Sequence, residues 1–264
     1  MDIIQAIILG IVQGLTEFLP VSSSGHIVMM KELIGVETEA NVVFETVVHA
    51  ATVLSTITVL WKMILNLFVK CFKWEWNPET QYVCKILVSI IPVMIVGLFF
   101  KDLVEKLFGE GVVLVGAMLL VTAILLSLTH FIKQKQSKEI GFGSAFIVGL
   151  AQAAAVLPGL SRSGATISTG LLLGLKKEEV AQFSFLMVLI PILGEAFLAF
   201  IGGEFSMAAS GIPTGSLIAG FIAAYLSGLF ACKFMIELVK RMNLIWFALY
   251  CFIVGIIAII IGCL

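Results

Sequence analysis

GIVQGLTEFLPVSSSGH, from Gly10 to His26, returns 139 residues later as GLAQAAAVLPGLSRSGAT, from Gly149 to Thr166. At that single offset Gly10 meets Gly149, Gln13 meets Gln152, Ser22 meets Ser161, Ser24 meets Ser163 and Gly25 meets Gly164, while Pro20 and Pro158 miss each other by one. The chain therefore reads as two related halves. Glu17, His26 and Arg162 lie inside otherwise apolar sequence. Ionisable groups are costly in hydrocarbon, so the two copies are expected to be halves of one buried polar site.

The rest of the chain sets the medium. Of 264 residues, 60% are hydrophobic and 12% charged, with a mean hydropathy of +1.14. That leaves too little polar surface to coat a soluble globule of this size, so an integral membrane protein is expected. The net charge is -1, and Lys and Arg are scattered through short connecting stretches, which excludes nucleic acid as a partner. Five cysteines, at 71, 84, 232, 251 and 263, include no CxxC pair, so neither a disulfide nor a zinc framework is expected. The start, Met1-Asp2, has no basic n-region and no cleavage pattern follows it, so the N-terminus is read as mature protein.

Apolar runs long enough to cross roughly 30 Å of hydrocarbon occur at 42–61, 83–100, 111–131, 181–202, 214–233 and 244–263. Each trio follows a stretch, 3–34 or 142–174, that is broken midway by Pro20 or by Pro158-Gly159 and then by serines. Such a string cannot face lipid with unpaired backbone groups, so each stretch is predicted to be a re-entrant helix hairpin. The expected fold is all-α, with two inverted-topology repeats. The first repeat is 1–131, the linker 132–140 and the second repeat 141–264. Three crossings per repeat invert the second copy. On that topology Lys31, Lys101 and Lys106 share one side with both termini, and twelve basic residues share the other: Lys62, Lys70, Lys73, Lys85, Lys133, Lys135, Lys138, Lys176, Lys177, Lys233, Lys240 and Arg241. The excess marks the cytoplasmic side, so both termini are predicted to be extracytoplasmic. Residues 69–82, with Trp74, Trp76 and Pro78, read as an interfacial loop.

Gln13 and Glu17, four apart, share a helix face and could hold one cation or one water. After Pro20, Ser22, Ser23 and Ser24 can cap a second half-helix, whose free N–H groups and dipole favour an anion, phosphate above all. His26 lies one turn further on, placed to exchange a proton with a reacting oxygen. Arg162, between Ser161 and Ser163, keeps its charge and so demands an anion, either Glu17 or a phosphate. Gly164 and Thr166 extend the second phosphate-binding segment. Glu45 and His49, also four apart, fit either the mouth of the site or a wetted helix end. Phe44 and Phe183 match at the same offset and read as packing residues.

These motifs resemble the undecaprenyl-diphosphate phosphatase family of the bacterial bacitracin-resistance type. Its (Glu or Gln)xxxGlu falls on Gln13 and Glu17, its PVSSxGH on Pro20 to His26 and its PGxSRSxxT on Pro158 to Thr166. The likeness also covers FSFLMVLIPILG, Phe183 to Gly194. It implies a multi-pass enzyme of the bacterial cell membrane that removes the terminal phosphate of undecaprenyl diphosphate, a prenyl diphosphate lipid. Recycling of that carrier serves peptidoglycan synthesis and confers resistance to bacitracin. The resemblance further implies a divalent cation, Mg²⁺ or Ca²⁺, with Glu17 and Gln13 as the candidate metal pair. Gln13 departs from the glutamate common in the family, and a neutral amide weakens that pair. The implied site comprises Glu17, Ser23, His26 and Arg162 as catalytic groups, with Ser22, Ser24, Ser161, Ser163, Gly164 and Thr166 around the phosphates. Either Ser23 or an activated water attacks, and Glu17 orients His26 or helps hold the ion. A lipid-phosphate transporter or flippase on the same inverted repeat is the rival reading, and a homo-oligomer is left open.

Overall fold

The computed structural model describes residues 1–36, 42–108, 111–131, 138–203, 211–241 and 243–263. Among them lie twelve helices: α1 Ile3–Phe18, α2 Ser23–Leu33, α3 Val42–Cys71, α4 Pro78–Phe99, α5 Lys101–Phe108, α6 Val112–Phe131, α7 Phe142–Ala154, α8 Arg162–Leu172, α9 Lys177–Met187, α10 Leu189–Ile201, α11 Thr214–Arg241 and α12 Ile245–Gly262. No strand occurs among the described residues beyond one isolated bridge between Lys138 and Leu175. Among the described residues six stretches are long and apolar enough to cross a membrane: α3, α4, α6, α9 with α10, α11 and α12. Their outward faces carry exposed Phe197, Leu198, Phe230 and Ile260, side chains that only lipid would solvate well.

Helix boundaries differ from the sequence expectation where helix length and membrane thickness part company. α3 runs to Cys71 and α11 to Arg241, well beyond 61 and 233. Apolar side chains continue past Lys62 and Lys233, and a helix keeps its own hydrogen bonds when it leaves the hydrocarbon. The connection read as 69–82 shrinks to 72–77. There Asn77 caps α4 by accepting the Thr80 amide at 2.8 Å, and Pro78 occupies the first turn. The run at 181–202 divides at Val188. Pro191 supplies no amide hydrogen to close the ladder there, which accounts for the break. Most of the linker read as 132–140 lies outside the described residues. At its end, Lys138 donates to the Gly174 carbonyl at 2.9 Å.

Small residues bring the helices together. A side chain on Gly10 would run into the Gly220 carbonyl of α11, and one on Gly14 into Ser227 and the Ala224 carbonyl. Gly149, the repeat mate of Gly10, sits likewise against the backbone of Ser89 in α4, and Gly116 of α6 faces Gly255 of α12. Helices in lipid associate by such close approach, since apolar side chains gain nothing there over lipid tails. The first helix of each hairpin is thereby clamped to a long helix, α1 to α11 and α7 to α4. Phe44 and Phe183 are both fully buried packing residues.

Gly14→Ala and Gly149→Ala are expected to destabilise the protein by about 1–3 kcal/mol through overpacking. Gly97→Ala, where no atom lies within 4 Å of the added carbon, should leave stability unchanged or slightly raised. Thermal unfolding in detergent checks this, and equal effects at all three positions would remove the packing argument.

Candidate active site

The two hairpin breaks meet. α1 ends at Phe18, Leu19 and Pro20 carry the chain across, and Ser22 turns it with a φ of 69°, uncommon for a residue with a side chain. Ser22 then caps α2, its Oγ accepting the Gly25 amide at 3.2 Å. In the second hairpin Gly159, at φ 91°, fits against the Val115 backbone where no Cβ could go. Ser161 caps α8 in the same manner, accepting the Gly164 amide at 3.0 Å. The hairpins touch where Ser163 Oγ donates to the Leu19 carbonyl at 3.0 Å and where Gly25 rests on Gly159. Two helix N-termini, each a concentration of donor N–H groups, therefore begin beside each other.

Charge is gathered at that junction. Glu17 Oε1 is ion-paired with Arg162 Nη2. Its other oxygen accepts from Ser23 Oγ at 2.6 Å and from Gln13 Nε2 at 2.9 Å, with His49 Nε2 at 3.6 Å. The carboxylate is 7% exposed and the guanidinium 27%. A cavity of about 300 Å³ opens over the group, lined by Ser22, Ser23, Ser24, Glu45, His49, Gln152 and Arg162, with Glu195 toward the outside. Beside it, the buried Lys31 ammonium pairs with Glu45.

The anticipated residues divide into those on the cavity and those behind it. Ser22, Ser23, Ser24 and Arg162 line the cavity, and Glu17 reaches it through Ser23 and Arg162. Ser161 is buried as a cap, Ser163 is spent on Leu19, and the Gly164 amide is held by Ser161. Thr166 donates to the Arg162 carbonyl at 2.8 Å, bracing the turn that carries the guanidinium. His26 is engaged at both ring nitrogens. Nδ1 donates to the Ser22 carbonyl at 2.7 Å, which leaves Nε2 to accept from Tyr250 Oη at 2.7 Å, the rings stacked with centroids 5.6 Å apart. The histidine beside Glu17 is His49. Its four-residue spacing from Glu45 was the available signal. Tyr250 offered none, because one tyrosine in an apolar span reads as an interface anchor.

Gln13 Oε1 is buried with no hydrogen-bond partner, next to the Glu17 carboxylate. Two oxygens fit Mg²⁺ or Ca²⁺ in type. Among the described residues no three acidic, histidine or cysteine side chains converge. Gln13 and Glu17 therefore offer two oxygens of the right type and would leave most of such an ion's coordination to other oxygens.

Residues 6–257 match the family described as "Bacitracin resistance protein BacA". A Bacteroides fragilis protein named undecaprenyl-diphosphatase is 57% identical over 265 residues, covering 99% of each chain. One of the same name from Parabacteroides distasonis is 56% identical, covering 97% of this chain and 96% of its own. Another, from Methanosphaera stadtmanae, is 40% identical across 99% of both.

Arg162→Met strands the Glu17 charge and is expected to cost about 3–5 kcal/mol. Adding Glu17→Gln should recover most of that loss. Unfolding of the single and double variants in detergent measures the coupling, and a double variant no more stable than the single one would deny the pair its structural role.

Proposed function

The chain belongs to the bacitracin resistance protein BacA family, and we propose that it is a membrane-embedded undecaprenyl-diphosphate phosphatase, releasing inorganic phosphate and undecaprenyl phosphate. Recycling that carrier serves cell-wall synthesis and underlies bacitracin resistance. One observation carries the chemistry: Ser23 and Arg162, both on the wall of a cavity large enough for a diphosphate, are joined through Glu17 behind them.

In this reading the prenyl tail stays in lipid and the diphosphate enters the cavity. The guanidinium of Arg162 has further N–H groups besides the one on Glu17. With the free amides at the start of α2, these hold the terminal phosphoryl group and stabilise its charge as it transfers. Ser23 Oγ attacks phosphorus in line while its proton passes to Glu17, and the P–O bond to the prenyl phosphate breaks. Water then hydrolyses the phosphoserine. A divalent cation held by Gln13 and Glu17 would supply neutralising charge to the phosphates. His26, bound to the Ser22 carbonyl and capped by Tyr250, is the positioning residue that fixes the turn aiming Ser23. Ser161, Ser163, Gly164 and Thr166 perform the same service for Arg162.

We place the protein in the bacterial plasma membrane with both termini extracytoplasmic. We also read its halves as inverted repeats meeting at the breaks. The repeat-matched caps Ser22 and Ser161, and the matched clamps at Gly10 and Gly149, support that reading.

Purified protein in detergent, where no two compartments exist to transport between, is expected to release phosphate from a prenyl diphosphate. EDTA should abolish release and Mg²⁺ or Ca²⁺ restore it. Ser23→Ala should be inactive, and Arg162→Lys slower by about 10³-fold. Wild-type protein that releases no phosphate would leave the transporter reading in its place, and full turnover in EDTA would remove the cation.

A further inference from the structure

Gln152 is 2% exposed, and neither end of its amide has a hydrogen-bond partner. A buried polar atom left unpaired loses its hydration with no return, and here two atoms of one side chain are left so. The repeat explains how this arises. Gln13 donates to Glu17 one turn on, but at the 139-residue offset the position matching Glu17 is Val156. Gln152 has thus lost the partner its counterpart keeps.

Gln152 nevertheless belongs to the wall of the same cavity as Ser23 and Arg162, on the α7 side with Val156 beside it. Gly149 presses α7 onto the Ser89 backbone of α4, so the helix that carries Gln152 is held in place. An amide pinned in a cavity wall, with a free donor and a free acceptor, is completed by a ligand that fills the cavity and offers both kinds of partner.

We propose that Gln152 is a substrate-binding residue that completes its hydrogen bonds on the diphosphate headgroup, Nε2 donating to a phosphate oxygen and Oε1 accepting from water or a phosphate hydroxyl. Resting on the diphosphatase reading, it adds a neutral contact to those from Arg162 and Ser23. A neutral amide binds phosphate without adding charge that would hold the released product.

The test uses full-length protein in detergent and compares wild type, Gln152→Leu and Gln152→Glu. Leucine preserves the volume and removes two unpaired polar atoms, so ligand-free Gln152→Leu is expected to melt at or above the wild-type temperature. Its KM for farnesyl diphosphate should rise about tenfold while kcat stays within about threefold, the mark of lost ground-state binding. Glutamate should raise KM further by repelling the phosphates. The rise in melting temperature caused by inorganic pyrophosphate, which needs no turnover, should shrink by at least half in Gln152→Leu.

Melting of ligand-free Gln152→Leu well below wild type would make Gln152 a structural residue. An unchanged KM, or an undiminished pyrophosphate shift, would also overturn the assignment. Absence of phosphate release by the wild type would strike the diphosphatase reading alone, since the pyrophosphate measurement stands independently of it.

Discussion

The ion pair between Glu17 and Arg162 sets the terms for everything around it. A lone carboxylate or guanidinium at membrane depth costs about 2.5–3.5 kcal/mol even on the mildest scales, and the two groups arrive on hairpins 145 residues apart in sequence. Their meeting requires both breaks to be brought to one point, with Ser163 bonded to Leu19 and Gly25 packed on Gly159. The pair, the caps and the crossing of the hairpins therefore form one constraint. Weakening any of them exposes charge to a medium that cannot solvate it.

Glycine contacts answer the same requirement from the outside. The short apolar helices α1 and α7 gain little from burying apolar surface that lipid already covers, so their attachment depends on backbone proximity. Gly10, Gly14 and Gly149 give α1 and α7 that proximity to α11 and α4. These rigid mounts fix the side chains of Gln13, Glu17 and Gln152, which project from the same two helices.

The architecture was legible because its signals are repetitive. Apolar length marked six crossings, and proline followed by serine marked both breaks. The offset paired Ser22 with Ser161, and each proves to be a helix cap. Individual partnerships were harder to read. His26, read from its spacing as the group that exchanges a proton with a reacting oxygen, holds its ring between the Ser22 carbonyl and Tyr250, 224 residues away. His49 was indistinguishable from a wetted helix end, and it lies 3.6 Å from Glu17. Sequence spacing reports which residues share a helix face; it is silent on which neighbouring helix that face meets. The longer reach of α3 and α11 escaped for another reason, since hydropathy measures the bilayer and not the helix.

Val156, standing where the first copy has Glu17, and Arg162, standing where it has Ser23, make the pocket lopsided. Two identical halves would offer a linear guest two equivalent ways to lie down. Here Glu17 and Ser23 come from one half and the permanent cation Arg162 from the other, so the two sides of the pocket differ in charge. That difference in charge comes from divergence between the two copies of the motif, at positions 156 and 162.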